Sequence, residues 1–149
     1  MVSGRPDFDL AAQNRAVYCA SGIGEERKMS QVLIVDDSPV VRKIARRILE
    51  GIGLRTAEAA DGGQALATCS FAMPDAVFID SNVSVLDSHE FLRRLRRMPG
   101  GDRPKVVLCA SEYDIAHIAR AMHAGANDFM MKPFDRDLLE AKFAGIAAN

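Results

Sequence analysis

Four charged side chains stand where short apolar runs end. Asp36 and Asp37 follow Val32-Leu33-Ile34-Val35, Asp80 follows Ala76-Val77-Phe78-Ile79, and Lys132 follows Asp128-Phe129-Met130-Met131. Three carboxylates held close together need a cation, and an all-oxygen donor set with room for water suits Mg²⁺. A lysine beside them points to a phosphoryl group as the visiting chemistry. Phosphoryl transfer needs charge neutralisation more than covalent help, so a metal and an ammonium around an acceptor carboxylate make a sufficient site.

Such a site exists only if the fold brings the four residues together. From Gln31 onward, strand and helix patterns alternate. Apolar runs of four or five residues between helix-like stretches read as buried parallel strands, whose carboxyl ends share one edge of a sheet. Strands are expected at Gln31–Val35, Leu54–Glu58, from Ala76 to the edge of Asp80, at Lys105–Cys109 and at Asn127–Met131. Ser38-Pro39 supply a cap and first-turn proline for a helix whose Val40, Val41, Ile44, Ile48 and Leu49 share one face. Gly51 and Gly53 end it. Asp61 caps a helix to about Ser70, and Asp87 caps Ser88–Arg97, which Pro99-Gly100-Gly101 break. A fourth helix runs from about Glu112 to His123, and Asp135 caps a fifth that ends near Ala144. Five strands each followed by a helix, with short connections, give an α/β fold: a doubly wound five-stranded parallel sheet with helices on both faces.

Residues 30–147 form the expected domain, and 1–29 an N-terminal extension of mixed polar and charged composition, read as flexible. At 149 residues the chain holds one good core. A net charge of −1 gives no global pull toward nucleic acid or membrane, so neither is an expected partner. Apolar runs are too short for a membrane span and no signal peptide is recognisable, which suggests a cytoplasmic protein. Cys19, Cys69 and Cys109 lack metal-ligand spacing and read as reduced thiols. His89, His117 and His123 have no partner at ligand spacing and read as surface or helix-terminus residues.

The runs VLIVDDSPVVRKIARRIL, VFID and AGANDFMMKPF resemble the receiver domain of two-component response regulators, over about residues 31–146. Within that family the chain is most similar to single-domain, chemotaxis-regulator-like receivers. HIARAMHAGANDFMMKPFDRDLLEAKF resembles a subgroup of these, some of which bind cyclic di-GMP through arginines. The resemblance implies that Asp80 is the phosphoacceptor, that Asp37 ligates Mg²⁺ directly and Asp36 largely through water, and that the Asn82 backbone carbonyl is a further ligand. Lys132 would pair with the phosphoryl oxygens, and the bond to Pro133 would be cis. The implied partners are a histidine kinase or phosphotransfer protein upstream and a protein target downstream, with no output domain expected after Asn149. The chain would then be no enzyme beyond self-phosphorylation and self-dephosphorylation.

Departures from the family are informative. Its switch hydroxyl position is filled by Ala110, and a methyl cannot contact a phosphoryl oxygen. Ser111 follows, with its side chain expected on the other face by strand alternation but its backbone N–H able to donate. Losing such a hydrogen bond weakens the linkage by about 1.5–3 kcal/mol, comparable to a typical allosteric coupling of about 1–3 kcal/mol. Phe129 fills the aromatic switch position without a hydroxyl, and Ser84 and Ser88 stand where the family prefers Pro and Gly. Arg93, Arg94, Arg96 and Arg97 are the densest positive cluster, either a solvated helix face or a site for an anion such as cyclic di-GMP. Arg42, Lys43, Arg46 and Arg47 decorate the first helix, as a kinase-docking face or a plain exposed one. The leading expectation is a single-domain response regulator; the alternatives are a degenerate, ligand-controlled receiver or a phosphate sink. An aspartyl-phosphate phosphatase on a similar fold would need an Asp at 82, where this chain has Asn.

Overall fold

The computed structural model describes residues 30–111 and 115–147; the extension assigned to 1–29 lies outside the described residues. Among the described residues five strands and five helices alternate. They are β1 Gln31–Val35, α1 Pro39–Gly51, β2 Arg55–Ala59, α2 Gly62–Phe71, β3 Ala76–Asp80, α3 Ser88–Arg97, β4 Lys105–Ala110, α4 Ile115–Ala124, β5 Asp128–Met131 and α5 Arg136–Ala147. All strand pairs are parallel, in the order β2-β1-β3-β4-β5.

Strand alternation splits the core in two. Leu33, Val35, Val77, Ile79, Val106 and Leu108 face one way and pack with Ala65 and Cys69 of α2, Phe91, Leu92 and Leu95 of α3, and Ile118 and Ala121 of α4. Val32, Ile34, Phe78, Val107 and Met130 face the other way, against Ala45 and Leu49 of α1 and Leu139 and Phe143 of α5. A sheet buried on both faces needs apolar residues at both parities, which explains the continuous apolar runs.

Local signals act as read. Ser38 Oγ accepts from Val41 N at the start of α1, Asp61 Oδ1 from Gln64 N, and Asp87 Oδ1 from Glu90 N. Several boundaries move by a residue or more: β4 runs on to Ala110 and β5 starts at Asp128. β2 begins one residue later than expected, because Leu54 N still closes the helix end on Leu49 O while Arg55 N takes up Ser30 O. The first described residue of α4 is Ile115, residues 112–114 being outside the described set. α5 runs on to Ala147, with Phe143 wholly buried in its last turns.

Candidate functional site

The order β2-β1-β3 sends the chain outward on opposite sides of β1 and β3, so their carboxyl ends border the crevice where connections diverge. Asp36 is the residue after β1, and Asp80 is the last of β3. Both are buried, at 4% and 6% exposure, whereas Asp37 is exposed. One carboxylate oxygen from each of Asp36, Asp37 and Asp80 lies within 4.8 Å of the others.

Lys132, the residue after β5, reaches across to this group. Its backbone N donates to Ala110 O at 2.7 Å, which extends the β4–β5 ladder by one bond. Two residues on, Phe134 packs edge-on against Phe78 with ring centroids 5.5 Å apart, fixing the segment from the other side. The Lys132–Pro133 peptide bond is cis. The ammonium lies 3.0 Å from Asp36 Oδ2 and 3.0 Å from Asp80 Oδ1. It donates along a good hydrogen-bond direction to Asp36 only, so the buried Oδ1 of Asp80 has an ion-pair neighbour but no directed donor. Asp36 Oδ1 accepts from Ser38 N, and Asp80 Oδ2 from Asn82 N at 3.3 Å.

Burial pushes the Asp80 carboxyl above its ordinary value, and the neighbouring Asp36 charge adds to this; Lys132 and Asn82 N oppose without overcoming it. Burial also works against the charged Lys132, but its attraction to Asp36 and Asp80 outweighs it and holds the ammonium above the usual lysine value. The result is an excess of negative charge around one permanently charged cation. Three clustered carboxylates, all-oxygen donors and an under-satisfied buried oxygen fit a hard divalent ion such as Mg²⁺.

Comparisons with known proteins identify the family. The family model for the response regulator receiver domain matches residues 32–144. This chain belongs to the receiver family. It is 36% identical over 114 residues to the KDP operon transcriptional regulatory protein KdpE of Escherichia coli, a match covering 76% of this chain and 49% of KdpE. It is 35% identical over 116 residues to the response regulator MprA of Mycolicibacterium vanbaalenii, covering 78% and 49% respectively. The chain thus spans about half the length of the curated relatives it matches. Among solved structures it is similar to the chemotaxis response regulator CheY4 of Vibrio cholerae, with TM-score 0.75, 27% identity, and coverage of 80% of this chain and 99% of that one. It is also similar to the receiver domain of the sensor histidine kinase PA1611 from Pseudomonas aeruginosa PAO1, which has a magnesium ion coordinated in the active site cleft. There the TM-score is 0.74 at 26% identity, covering 82% and 100%. Receivers are signalling domains of two-component systems rather than classical enzymes, and they bind Mg²⁺ and engage histidine kinases or phosphotransfer proteins. Among the described residues no helix is long and apolar enough to cross a membrane.

The other residues singled out in the sequence fall at varied distances from this centre. Ala110 ends β4 beside Lys132, buried and with its carbonyl occupied, and Ser111 is exposed just past it. Phe129 is partly buried on β5 against the α2–α4 side of the core. At the first position of α3 Ser88 is fully buried and donates to Ser81 O, and in the preceding loop Val85 has φ 68°, an unusual conformation for a β-branched residue.

The arginine cluster needs a correction: it is not one patch. Arg96 is turned into the protein, where its guanidinium donates to Gly101 O, Pro104 O, Gly125 O and Asn127 Oδ1. Burial lowers its pKa from the ordinary arginine value, so the group is partly desolvated as well as fully bonded. Arg93 and Arg94 both pair with Glu90, at 2.8 and 2.9 Å. A residue that the sequence reading left on the surface moves the other way. Arg42 of α1 donates from Nη1 to Asp36 O at 2.7 Å and from Nε to Glu58 Oε1 at 2.8 Å. An arginine five residues past the acidic pair, with a glutamate near the end of the next strand, was the available signal.

Proposed function

We propose that this receiver accepts a phosphoryl group on Asp80 from a histidine kinase or phosphotransfer protein, with Mg²⁺ held by Asp36, Asp37, Asp80 and the Asn82 carbonyl. The carrying observation is the clustering of three carboxylates, two of them paired with one lysine, with Asp80 Oδ1 lacking a directed donor. A carboxylate oxygen of Asp80 attacks phosphorus, the P–N bond to the donor imidazole breaks, and that nitrogen takes up a proton. Lys132, already 3.0 Å from the acceptor oxygen, follows the phosphoryl oxygens as charge develops on them. Bound Mg²⁺ supplies further neutralisation of that charge. Asp36, occupied by Ser38 N and Lys132, acts mainly by orienting the ammonium, which agrees with an indirect role toward the metal.

Residues 30–147 are the receiver unit in this reading, acting in the cytoplasm and signalling by protein–protein contacts. Ala110 removes the usual hydroxyl, so the backbone N–H of Ser111 is the remaining donor on that strand end, and phosphate acceptance is better supported than switching. A phosphate sink fits the same facts. Control by cyclic di-GMP at Arg93, Arg94 and Arg97 has less support, since Arg96 is engaged elsewhere and Arg93 and Arg94 are already paired with Glu90. Incubation with acetyl phosphate and Mg²⁺, read by intact mass, tests the proposal. One added phosphoryl group on the parent and none on Asp80→Asn is the expected result, and an unmodified parent sinks it.

A further inference from the structure

The turn that carries the acidic pair is held from outside the cluster. Asp36 N donates to Ala59 O at 3.2 Å, so the edge strand β2 fixes one side of the turn. Its other side, the Asp36 carbonyl, accepts from Arg42 Nη1 at 2.7 Å. That carbonyl belongs to the peptide plane joining Asp36 to Asp37, so its direction sets where the Asp37 Cα sits. Arg42 is itself braced: its Nε bonds Glu58 Oε1, while Arg46 Nη1 holds Glu58 Oε2 at 3.2 Å. The Arg42 side chain is 16% exposed, so this is no waving surface charge. Burial also strengthens a charge-assisted bond to a carbonyl.

From this geometry we infer that Arg42, braced by Glu58, is a positioning residue that orients the Asp36–Asp37 turn for divalent-cation binding. The inference rests on the proposed metal role of that turn. It also has a sign that simple electrostatics cannot imitate. A nearby arginine repels a cation, so removing its charge alone would tighten Mg²⁺ binding. Removing a brace loosens it. Metal sites commonly lose about 10–100-fold in affinity when a partner outside the ligand set is removed.

Calorimetric titration of the full chain with Mg²⁺ tests this. Arg42→Ala is expected to weaken Mg²⁺ binding about tenfold, the low end for an outer partner, and Arg42→Lys to recover part of the loss, because an ammonium can reach the carbonyl but cannot also bridge Glu58. Arg47→Ala removes the same charge from an exposed position of the same helix, outside the Glu58 brace, and should leave Mg²⁺ affinity at or above the parent value. Phosphorylation by acetyl phosphate should show the same displacement in half-saturating Mg²⁺, with the rate at saturating Mg²⁺ unchanged. If Arg42→Ala does not fold, Arg42→Met, which keeps the stem's packing, takes its place. Unchanged or tighter Mg²⁺ binding in the variant, or equal weakening in Arg47→Ala, overturns the positioning role. No Mg²⁺ heat in the parent instead defeats the metal reading on which it rests.

Discussion

Two lysine–aspartate groups in this protein use the same chemistry to opposite ends. On α5, Lys142 Nζ holds both oxygens of Asp128 at 2.9 and 3.0 Å, one cation to one carboxylate, at partial exposure. At the sheet rim, Lys132 faces Asp36 and Asp80, both nearly buried, with Asp37 close by. Burial would raise Asp128, but hydrogen bonds from Lys142 and Phe129 N outweigh it and keep that carboxyl below its usual value. Asp80 is displaced upward instead. A matched pair is complete as it stands. A crowded group with surplus negative charge and an oxygen lacking a directed donor is built for something that arrives.

The sharpest way to break this contrast is chemical. Asp80→Asn should lose all phosphoryl uptake from acetyl phosphate, whereas Asp128→Asn should accept it at the parent rate; uptake by the first variant would remove the functional asymmetry. Next in size is Lys132→Ala, which should slow phosphorylation at saturating Mg²⁺ by on the order of 10²-fold, the usual cost of one missing donor to developing charge. Lys142→Ala should leave that rate alone, as single-turnover mass measurements would reveal. Asp37→Asn should weaken Mg²⁺ binding by calorimetry by more than the ~10–100-fold lost with an outer partner.

Stability gives the smallest effects and the clearest signs. Burial disfavours the charged form of Asp80, so in metal-free protein above its raised value Asp80→Asn should stabilise by on the order of 1 kcal/mol. That gain should fade as pH falls through the raised Asp80 value, because the parent carboxyl then becomes neutral too. Asp128→Asn should destabilise by about 0.5 kcal/mol, a cost present above the ordinary carboxylate value and lost as pH falls through the lowered one. Denaturant melts across the acid range that gave both variants the same sign would end the distinction.

Legibility from sequence differs between these regions for a physical reason. The rim residues were readable because strand ends convert linear order into a shared edge, so Asp36, Asp80 and Lys132 had one plausible meeting place. Both caps and apolar runs were readable because they act within four residues. Arg96 was misread, since an arginine on a charged helix face carries no mark of having four acceptors, the farthest of them at Asn127. Arg42 was underread likewise: its partners Asp36 O and Glu58 lie six and sixteen positions away. Backbone carbonyls, the acceptors in both cases, leave no trace in residue type.

The Arg96 strut has a mechanical consequence. One guanidinium rivets the α3–β4 and α4–β5 connections at the amino ends of β4 and β5, where Asn127 also exchanges bonds with Val106. β4 and β5 are therefore pinned to each other at their feet, which resists their sliding past one another and leaves the loops at the opposite rim as the freer part of this half of the sheet.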